Sequence, residues 1–403
     1  MRNIYLHIGI ILILTTISTK AGLHDGLIFY EDCNDLKSSY PDVDISSSIR
    51  VEDGKFDKAL RIERRTLNCL PNGDFKQKES DAWLYRDNAV WQQKGGLKDS
   101  SCLKVSGGEV VVPLVGLKPK YGNAFSFYAK NAHSDRKATV SVSYDSAGKS
   151  IELAKDIRLT DQYQRIKIPF VALAEDGSLR ISSSGEMLID NAQLDKGVSF
   201  FNSYTPPLRK RLVDRIIIPA NGKYYNSASG TLNCWIKCGW LDPKILGRSC
   251  ALLGVNNAEK RIKKWGDHKI MFISCIPRPY AGAKSSGTLH FLAIDGKRRV
   301  AGLSERNLDK LPPLATDGWR MLSFTWQFKD GKMHQNIYID GKLQLQKDTL
   351  FGPLKKVIGI SVGYSGGAYL NGLLDDLAIF NRPLSASEIK AIYDSGKPLA
   401  AIN

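Results

Sequence analysis

The chain has 403 residues, of which 57 are Lys or Arg and 41 are Asp or Glu, and its formal net charge is +16 at pH 7. Its hydrophobic fraction of 43% and charged fraction of 24% are ordinary for globular proteins, which excludes a disordered chain, a collagen-like chain and a membrane protein with many spans. The length predicts two or three domains. The charge indicates either an anionic partner or a well-solvated surface.

The N-terminal segment is typical of a secretory signal peptide. Arg2 is followed by the apolar stretch Ile4–Ile17 and by small residues before a cleavage point after Ala21. The apolar stretch is shorter than the roughly 20 residues that span a bilayer, so cleavage is favoured over an uncleaved anchor. We therefore expect a secreted, periplasmic or cell-surface protein with no membrane span, and export argues against nucleic acid as its partner.

Short apolar or alternating segments recur along the rest of the chain and predict β-strands. In chain order these segments are Gly26–Tyr30, Ala59–Ile62, Glu109–Leu114, Ala124–Ala129, Thr139–Tyr144, Arg165–Phe170, Leu179–Ser182, Thr231–Ile236, Ile270–Ile276, Thr288–Ile294, Met321–Phe328, Gln335–Ile339 and Ile358–Gly363. Asp-Gly pairs at 53–54, 176–177, 295–296, 330–331 and 340–341 predict tight turns, because they tolerate positive φ.

One helix is predicted, near the C-terminus. Ser385 and Glu388 have the spacing of a capping box, and Ile389 and Ile392 follow at helical spacing. The chain is therefore predicted to be all-β, with antiparallel β-sandwiches and one short C-terminal helix.

The seven cysteines do not form a disulfide framework of the kind that holds small secreted domains together. Their odd number predicts at least one thiol outside any intramolecular disulfide. Buried thiols and one or two disulfides remain alternatives. Cys234 and Cys238 lie four residues apart, but a single pair without a nearby His is a weak zinc signal.

The C-terminal segment from Gly372 to Tyr393 resembles the closing strand and helix of concanavalin A-like, laminin G-like jelly rolls. Trp319–Trp326 and Asn336–Lys342 resemble the central hairpin of that family, and Gly230–Trp235 resembles an early core strand. The opening strands of the family are matched near the N-terminus, by Gly26–Tyr30 and Gly54–Ile62. Val213–Pro219 resembles the third strand.

The residues between the second and third of these strands do not match the laminin G-like pattern. Leu70–Phe75, Phe125–Lys130 and Ile189–Leu194 are similar to segments of galactose-binding-like carbohydrate-binding modules. The resemblance implies a second sandwich inserted into a surface loop of the first, because a module whose termini lie close together is tolerated there. The alternative is three units in tandem. The predicted division is 1–21 signal peptide, 22–65 first part of the laminin G-like jelly roll, 66–198 inserted module and 199–403 second part of the jelly roll.

Catalytic motifs are missing from the sequence, so we expect a protein that is not an enzyme. Gly363–Gly367 fits the GxSxG pattern, but a strand-like segment follows it where a nucleophile elbow requires a helix. The paired carboxylates of glycoside hydrolases that share the jelly roll have no counterpart at the expected spacing. A glycoside hydrolase or polysaccharide lyase that uses residues distant in sequence remains the alternative, as does a structural envelope protein that binds a protein partner.

Calcium is the cofactor that the resemblance implies, since both sandwich families carry structural calcium ions. In the jelly roll the candidate ligands are Asp375 or Asp376, together with Asp32. The alternative is that one carboxylate of the pair accepts hydrogen bonds at the edge of the core while the other faces solvent. In the inserted module the candidate is Asp190. The sequence departs from the family pattern at Lys76, where an acidic ligand is expected, and Asp74 would have to replace that ligand.

Sugar rings pack their C–H faces on aromatic side chains, which are the candidate ligand contacts. In the inserted module these are Trp83, Tyr85 and Trp91, and in the jelly roll they are Trp240, Trp265 and Tyr280. We therefore expect an exported, non-catalytic carbohydrate-binding or adhesion protein whose partner is a polysaccharide or glycan. The charge favours an anionic one, although solubility alone would also account for the charge.

Overall fold

The computed structural model describes residues 22–402, apart from 64–67, 79–82, 85–87, 134–136, 199–213, 220–222, 239–249, 256–269, 278–286, 295–299, 306–309, 315–317, 351, 355–356, 358–359 and 366–367. The predicted signal peptide lies outside these residues. In the described part the chain forms antiparallel β-sheets and one α-helix, which confirms the all-β fold with two sandwiches. No helix in this part is long and apolar enough to cross a membrane.

Four strands precede the inserted module: β1 Leu27–Glu31, β2 Asp44–Ile45, β3 Arg50–Asp53 and β4 Lys58–Ile62. The strands β3 and β4 pair as a hairpin. At its turn the N–H of Gly54 donates to the carbonyl of Asp57 at 2.9 Å. A four-residue connection, residues 54–57, therefore joins two strands of the jelly roll, and neither Asp53 nor Gly54 has the positive φ of the predicted tight turn.

The inserted module has its own strands and its own core. Its strands are β5 Ala89–Gln92, β6 Cys102–Leu114, β7 Gly122–Asn131, β8 Thr139–Ser146, β9 Lys149–Arg158, β10 Gln164–Val171 and β11 Gly177–Lys196. In the part of the chain that the structure describes, these strands pair with one another and with no strand of the jelly roll. The long strand β11 joins the two layers, because its first half pairs with β8 and its second half with β7. Phe125, Phe127, Ile168 and Ile189 are among the side chains buried between the layers.

The remaining strands and the helix follow the inserted module. They are β12 Ile216–Ile218, β13 Ser229–Cys238, β14 Cys250–Val255, β15 Ile270–Pro277, β16 Gly287–Ile294, β17 Val300–Glu305, β18 Arg320–Lys329, β19 Lys332–Ile339, β20 Lys342–Thr349, β21 Ile360–Val362, β22 Tyr364–Ser365, β23 Ala368–Tyr369, β24 Gly372–Phe380 and α1 Ala386–Ser395.

Two sheets face each other in the jelly roll. One has the order β20-β19-β18-β13-β24-β4-β3, with β1 also paired to β24, and the other has the order β17-β16-β15-β14-β21-β12-β2. The strands from the beginning of the chain therefore pair with the last strand. Their side chains Phe29, Leu60 and Ile62 are buried in the same core as Leu232 and Phe324.

The helix and two hairpin turns form where the sequence predicts them. The hydroxyl oxygen of Ser385 accepts the backbone N–H of Glu388, and the Glu388 side chain accepts that of Ser385, which completes the capping box. Asp330-Gly331 and Asp340-Gly341 have positive φ at both residues, as two-residue hairpin turns require. Ile389 and Ile392 of the helix are buried against the outside of the sheet that contains β24.

The chain enters and leaves the inserted module at neighbouring points. The backbone N–H of Glu63 donates to Oδ2 of Asp214 at 3.3 Å, and the hydroxyl of Ser48 donates to Oδ1 of Asp214 at 2.5 Å. Glu63 also accepts from Arg50 at 2.8 Å. Residues 63 and 214 are thus held together by hydrogen bonds although 150 residues separate them.

Candidate functional site

The second half of β11 has polar residues on the face that points away from the core of the inserted module. Ile189, Ala192 and Leu194 belong to that core. Asp190 and Gln193 alternate with them on the opposite side. We call this side, with the facing residues of β5, β6, β7 and β10, the outer face of the inserted module.

A bulge keeps these polar residues on one face. Tyr128 of β7 is paired with Asp190, whereas Ser126, two residues earlier, is paired with Gln193. The extra residue on β11 is accommodated at Asn191, whose φ is +47°. Without the bulge, the strand alternation would turn Gln193 into the core.

Asp190 fixes a loop, residues 93–100, over part of the outer face. Its Oδ2 accepts the backbone N–H of Leu97 at 2.8 Å and the hydroxyl of Ser100 at 2.6 Å. Its Oδ1 accepts the N–H of Asn191 at 2.6 Å. Burial raises the pKa of Asp190, and these hydrogen bonds oppose that rise. The loop covers Cys102 and Leu188, which lie within 4 Å of the position that a Cβ on Gly95 would occupy.

Tyr163 and Lys130 lie at the edge of this loop. The Tyr163 hydroxyl donates to the carbonyl of Gly95 at 2.8 Å, and the Lys130 ammonium lies 4.8 Å from the centre of the Tyr163 ring. Burial raises the pKa of Tyr163 and raises that of Cys102 to about 11. Cys102 therefore stays a thiol at neutral pH and is a poor nucleophile.

A second aromatic residue and a second cation lie beside the first pair. Tyr128 and Arg165 are directly opposite each other on β7 and β10, and the guanidinium carbon lies 6.0 Å from the centre of the ring. Arg165 also donates from Nη2 to the hydroxyl of Ser126 at 2.8 Å. Lys130, Tyr128, Tyr163 and Arg165 are all half-buried, so the outer face offers partly exposed rings and cations side by side.

Two of the six predicted aromatic ligand contacts lie within the described residues. Trp83 is 3% exposed and packs on Phe75 in the core of the inserted module, with ring centres 4.8 Å apart. Trp91 is half-buried against the same core and donates from Nε1 to the carbonyl of Phe75 at 2.6 Å. The other four, Tyr85, Trp240, Trp265 and Tyr280, lie outside the described residues.

The predicted carboxylates of the jelly roll are surrounded by hydrogen-bond donors. Oδ2 of Asp375 accepts the backbone N–H groups of Lys55 and Phe56 at 2.7 and 3.2 Å. Oδ1 of Asp376 accepts the hydroxyl of Tyr30 at 2.7 Å and the N–H of Leu399 at 3.0 Å. Both carboxylates are almost fully buried, and burial raises the pKa of each.

These N–H and O–H donors occupy lone pairs of the carboxylates that a calcium ion would use. Asp32, the third candidate, is exposed. Asp190 is also surrounded by hydrogen-bond donors, since three of them donate to its two oxygens. In the described part of the chain no group of three or more His, Cys, Asp or Glu residues could hold a metal ion. We assign no ion to these carboxylates, and calcium stays a prediction.

Lys76, where the family pattern has an acidic ligand, forms an ion pair with Asp74, the residue proposed to replace that ligand. Its ammonium lies 2.8 Å from Oδ2 of Asp74. A lysine ammonium thus supplies positive charge next to Asp74.

Tyr128, Lys130, Tyr163 and Arg165 were missed as candidate site residues. The alternation in Ala124–Ala129 carried the signal for β7, because Phe125 and Phe127 are in the core and Tyr128 and Lys130 must then point outward. Tyr163 had no such signal, since it lies in the turn before β10.

A family model described as the concanavalin A-like lectin/glucanases superfamily, laminin G type, matches residues 261–390. The described strands in this stretch, from β15 to β24, lie in both sheets of the jelly roll, apart from β22 and β23, which pair with each other. From outside the matched stretch, β1, β3, β4 and β13 complete one sheet, and β2, β12 and β14 complete the other. No curated protein matches the chain.

Among solved structures, the chain is similar to the CBM22-1 xylan-binding domain of Paenibacillus barcinonensis Xyn10C, with 13% identity over 31% of this chain and 92% of that one and a TM-score of 0.28. Domain 4 of AbnA, an extracellular arabinanase of Geobacillus stearothermophilus, is 17% identical over 49% and 83%, with a TM-score of 0.29. The botulinum neurotoxin serotype G binding domain is 15% identical over 49% and 45%, with a TM-score of 0.34.

Proposed function

We propose that this protein is an exported, non-catalytic carbohydrate-binding or adhesion protein, and that the partly exposed side chains Tyr128, Lys130, Tyr163 and Arg165 on the outer face of its inserted module bind an anionic polysaccharide. The observation that carries the proposal is the pairing of Tyr163 with Lys130, 4.8 Å apart, beside the pair formed by Tyr128 and Arg165. Tyrosine rings provide a flat apolar surface for a sugar ring, and the cations bind carboxylate or sulfate groups. The net charge of +16 adds long-range attraction.

The chemistry of the buried groups next to these residues supports binding rather than catalysis. Cys102 is held as a thiol, with its pKa raised to about 11 by burial. Oδ2 of Asp190 accepts hydrogen bonds from Leu97 and Ser100 of the loop 93–100, and its Oδ1 accepts the N–H of Asn191. Neither side chain is therefore available as the nucleophile or proton acceptor that hydrolysis or elimination of a glycosidic bond requires.

The proposal is tested by measuring binding to heparin, polygalacturonate and dextran at low and at high salt. Sulfated and uronic-acid polymers are expected to bind at low salt and to be released at high salt, because salt screens charge–charge attraction. Binding to dextran alone, without salt dependence, would contradict an anionic ligand. No binding to any glycan, with capture of a protein from the cell envelope, would instead favour the structural alternative.

Lys130→Gln is the variant that locates the site. Loss of a charged hydrogen bond of about 1.5 kcal/mol is expected to weaken binding of the anionic polymer about tenfold. Lys149→Gln is the matched control, since Lys149 is an exposed lysine on β9, in the other layer of the inserted module. Equal affinities of the two variants would place the binding surface elsewhere. Release of new reducing ends or unsaturated uronates from the polymer would favour the hydrolase or lyase alternative.

A further inference from the structure

The strands β14 and β15 place two cysteines directly opposite each other. The register of this antiparallel pair sets Cys250, the first residue of β14, against Cys275 of β15. Residues paired in this way have Cα atoms about 4.5–5.5 Å apart and share one face of the sheet. Disulfides join cysteines whose Cα atoms are about 4.4–6.8 Å apart. The backbone therefore meets the distance condition for a disulfide as it stands.

The other cysteines in the described strands face different residues. Cys102 is paired with Gln92, Cys234 with Leu322 and Cys238 with Gly372. Only seven of the 403 residues are cysteine, about one in 58, so a cysteine opposite Cys250 is an uncommon coincidence. Cys33 and Cys234 are buried and burial raises the pKa of each, so both are poorly reactive thiols.

We propose that Cys250 and Cys275 form a disulfide that links β14 to β15. The two thiols lose two protons and two electrons as the S–S bond forms. The oxidant is another disulfide, either that of a thiol–disulfide oxidoreductase or glutathione disulfide, which is reduced to two thiols. Export would bring the chain to a compartment where such disulfides persist. The inference rests on strand register and does not depend on the polysaccharide-binding proposal.

The link would hold the end of β14 that has the fewest strand partners. The neighbour on its other side, β21, pairs with residues from Leu253 to Val255 only. A register shift between Ala251 and Leu253 also interrupts the pairing of β14 with β15. The disulfide would thus close the hairpin at the end where backbone pairing is weakest.

Peptide mapping of the full-length protein tests the disulfide. The chain is equilibrated with glutathione disulfide, alkylated in denaturant without reductant, digested and examined by mass spectrometry. A peptide in which Cys250 is linked to Cys275 is expected for the wild type and for the control Cys69→Ser. Cys250→Ser should lack the linked peptide and carry an alkylated Cys275. Alkylation of both Cys250 and Cys275 in the wild type, or linkage of either to another cysteine, overturns the proposal.

Thermal unfolding provides a second readout. Addition of a reductant is expected to lower the melting temperature of the wild type and to leave that of the double variant C250S/C275S unchanged. If the double variant does not fold, the peptide map of the wild type still decides the question. If the melting temperature of the wild type stays the same after the bond between Cys250 and Cys275 has been completely reduced, the bond has no stabilising role.

Discussion

Asp375 is a buried residue whose charge opposes folding at neutral pH. It is 1% exposed, and burial raises its pKa from 3.8 to about 6 despite two backbone hydrogen bonds. Between these pH values the native state binds more protons than the unfolded state does. The free energy of unfolding contributed by this group therefore falls as the pH rises from about 4 to about 6, and the loss is complete above the native pKa.

Asp375→Asn is expected to remove this pH dependence. The amide oxygen can still accept the N–H groups of Lys55 and Phe56, and the side chain carries no charge at any pH. Relative to the wild type, the variant should gain about 2 kcal/mol in its free energy of unfolding between pH 4 and pH 7.5. Urea unfolding at the two pH values measures this change. The exposed Asp32→Asn serves as the control, and parallel shifts in both variants would contradict the assignment.

The sequence singled out Asp375 and Asp376 as candidate calcium ligands, but it did not predict their hydrogen-bond partners. Adjacent residues on a regular strand point to opposite faces, so the alternative to calcium placed one carboxylate at the edge of the core and the other in solvent. In the structure Asp376 has a φ of +51° and accepts hydrogen bonds from Tyr30 and Leu399. These partners lie 346 and 23 residues away, so no local pattern could have predicted them.

The loop 93–100 depends on a glycine at its centre. A Cβ on Gly96 would lie 2.6 Å from Oδ2 of Asp190 and 2.7 Å from the carbonyl oxygen of Ser100. Such approaches are too close for carbon and oxygen, so the loop would have to move away from the strand that anchors it. Lys98 and Asp99, which follow, have φ values of +58° and +59°, so the loop already has little freedom to adjust.

Gly96→Ala is therefore expected to destabilise the inserted module by about 1–3 kcal/mol, the usual cost of overpacking. Limited proteolysis should cut the variant within residues 93–100 faster than the wild type. Gly352→Ala is the matched control, because the nearest atom to its added Cβ lies 3.9 Å away. If the Gly96 variant is as stable as the wild type and is cut no faster, the loop is not held as described.

Strands with a regular apolar pattern were predicted well, and those without one were missed or cut short. Of β11, only Leu179–Ser182 was predicted, although the strand runs from Gly177 to Lys196. Register shifts after Ser183 and Asp190 break the alternation, and polar residues such as Gln193 are buried on the outer face. The strand β9 was missed because none of its residues is fully buried; Leu153, Ala154 and Ile157 are only partly buried against the core.

The whole molecule is organised around strands that come from opposite ends of the chain. The strand β24 pairs with β13, and its other pairings are with β1 and β4 from the beginning of the chain. The matches to the opening and closing strands of the jelly-roll family were what indicated this nesting. The pairings agree with it, whereas the division at residues 65 and 198 stays a prediction, since both points adjoin residues outside the described ones.

Replacing residues 66–198 by a short Gly-Ser linker is expected to leave the jelly roll folded. The hydrogen bond between Glu63 and Asp214 already holds the two connection points together, and closing a flexible loop costs little more as its length changes. Residues 66–198 alone should also fold, because their strands pair with one another around a separate core. Each chain should unfold cooperatively in thermal melting, and the isolated module should keep the binding to anionic polymer.

Residues 199–403 alone provide the contrasting case. Without residues 22–65 the jelly roll loses β1 and β4 beside β24, and with them the buried side chains Phe29, Leu60 and Ile62. Burial of three such side chains contributes about 5–9 kcal/mol, which is comparable to the whole stability of a domain. This fragment should therefore give no cooperative transition. If it melts as the linked chain does, the N-terminal strands are not part of the jelly roll, and the nested arrangement is wrong.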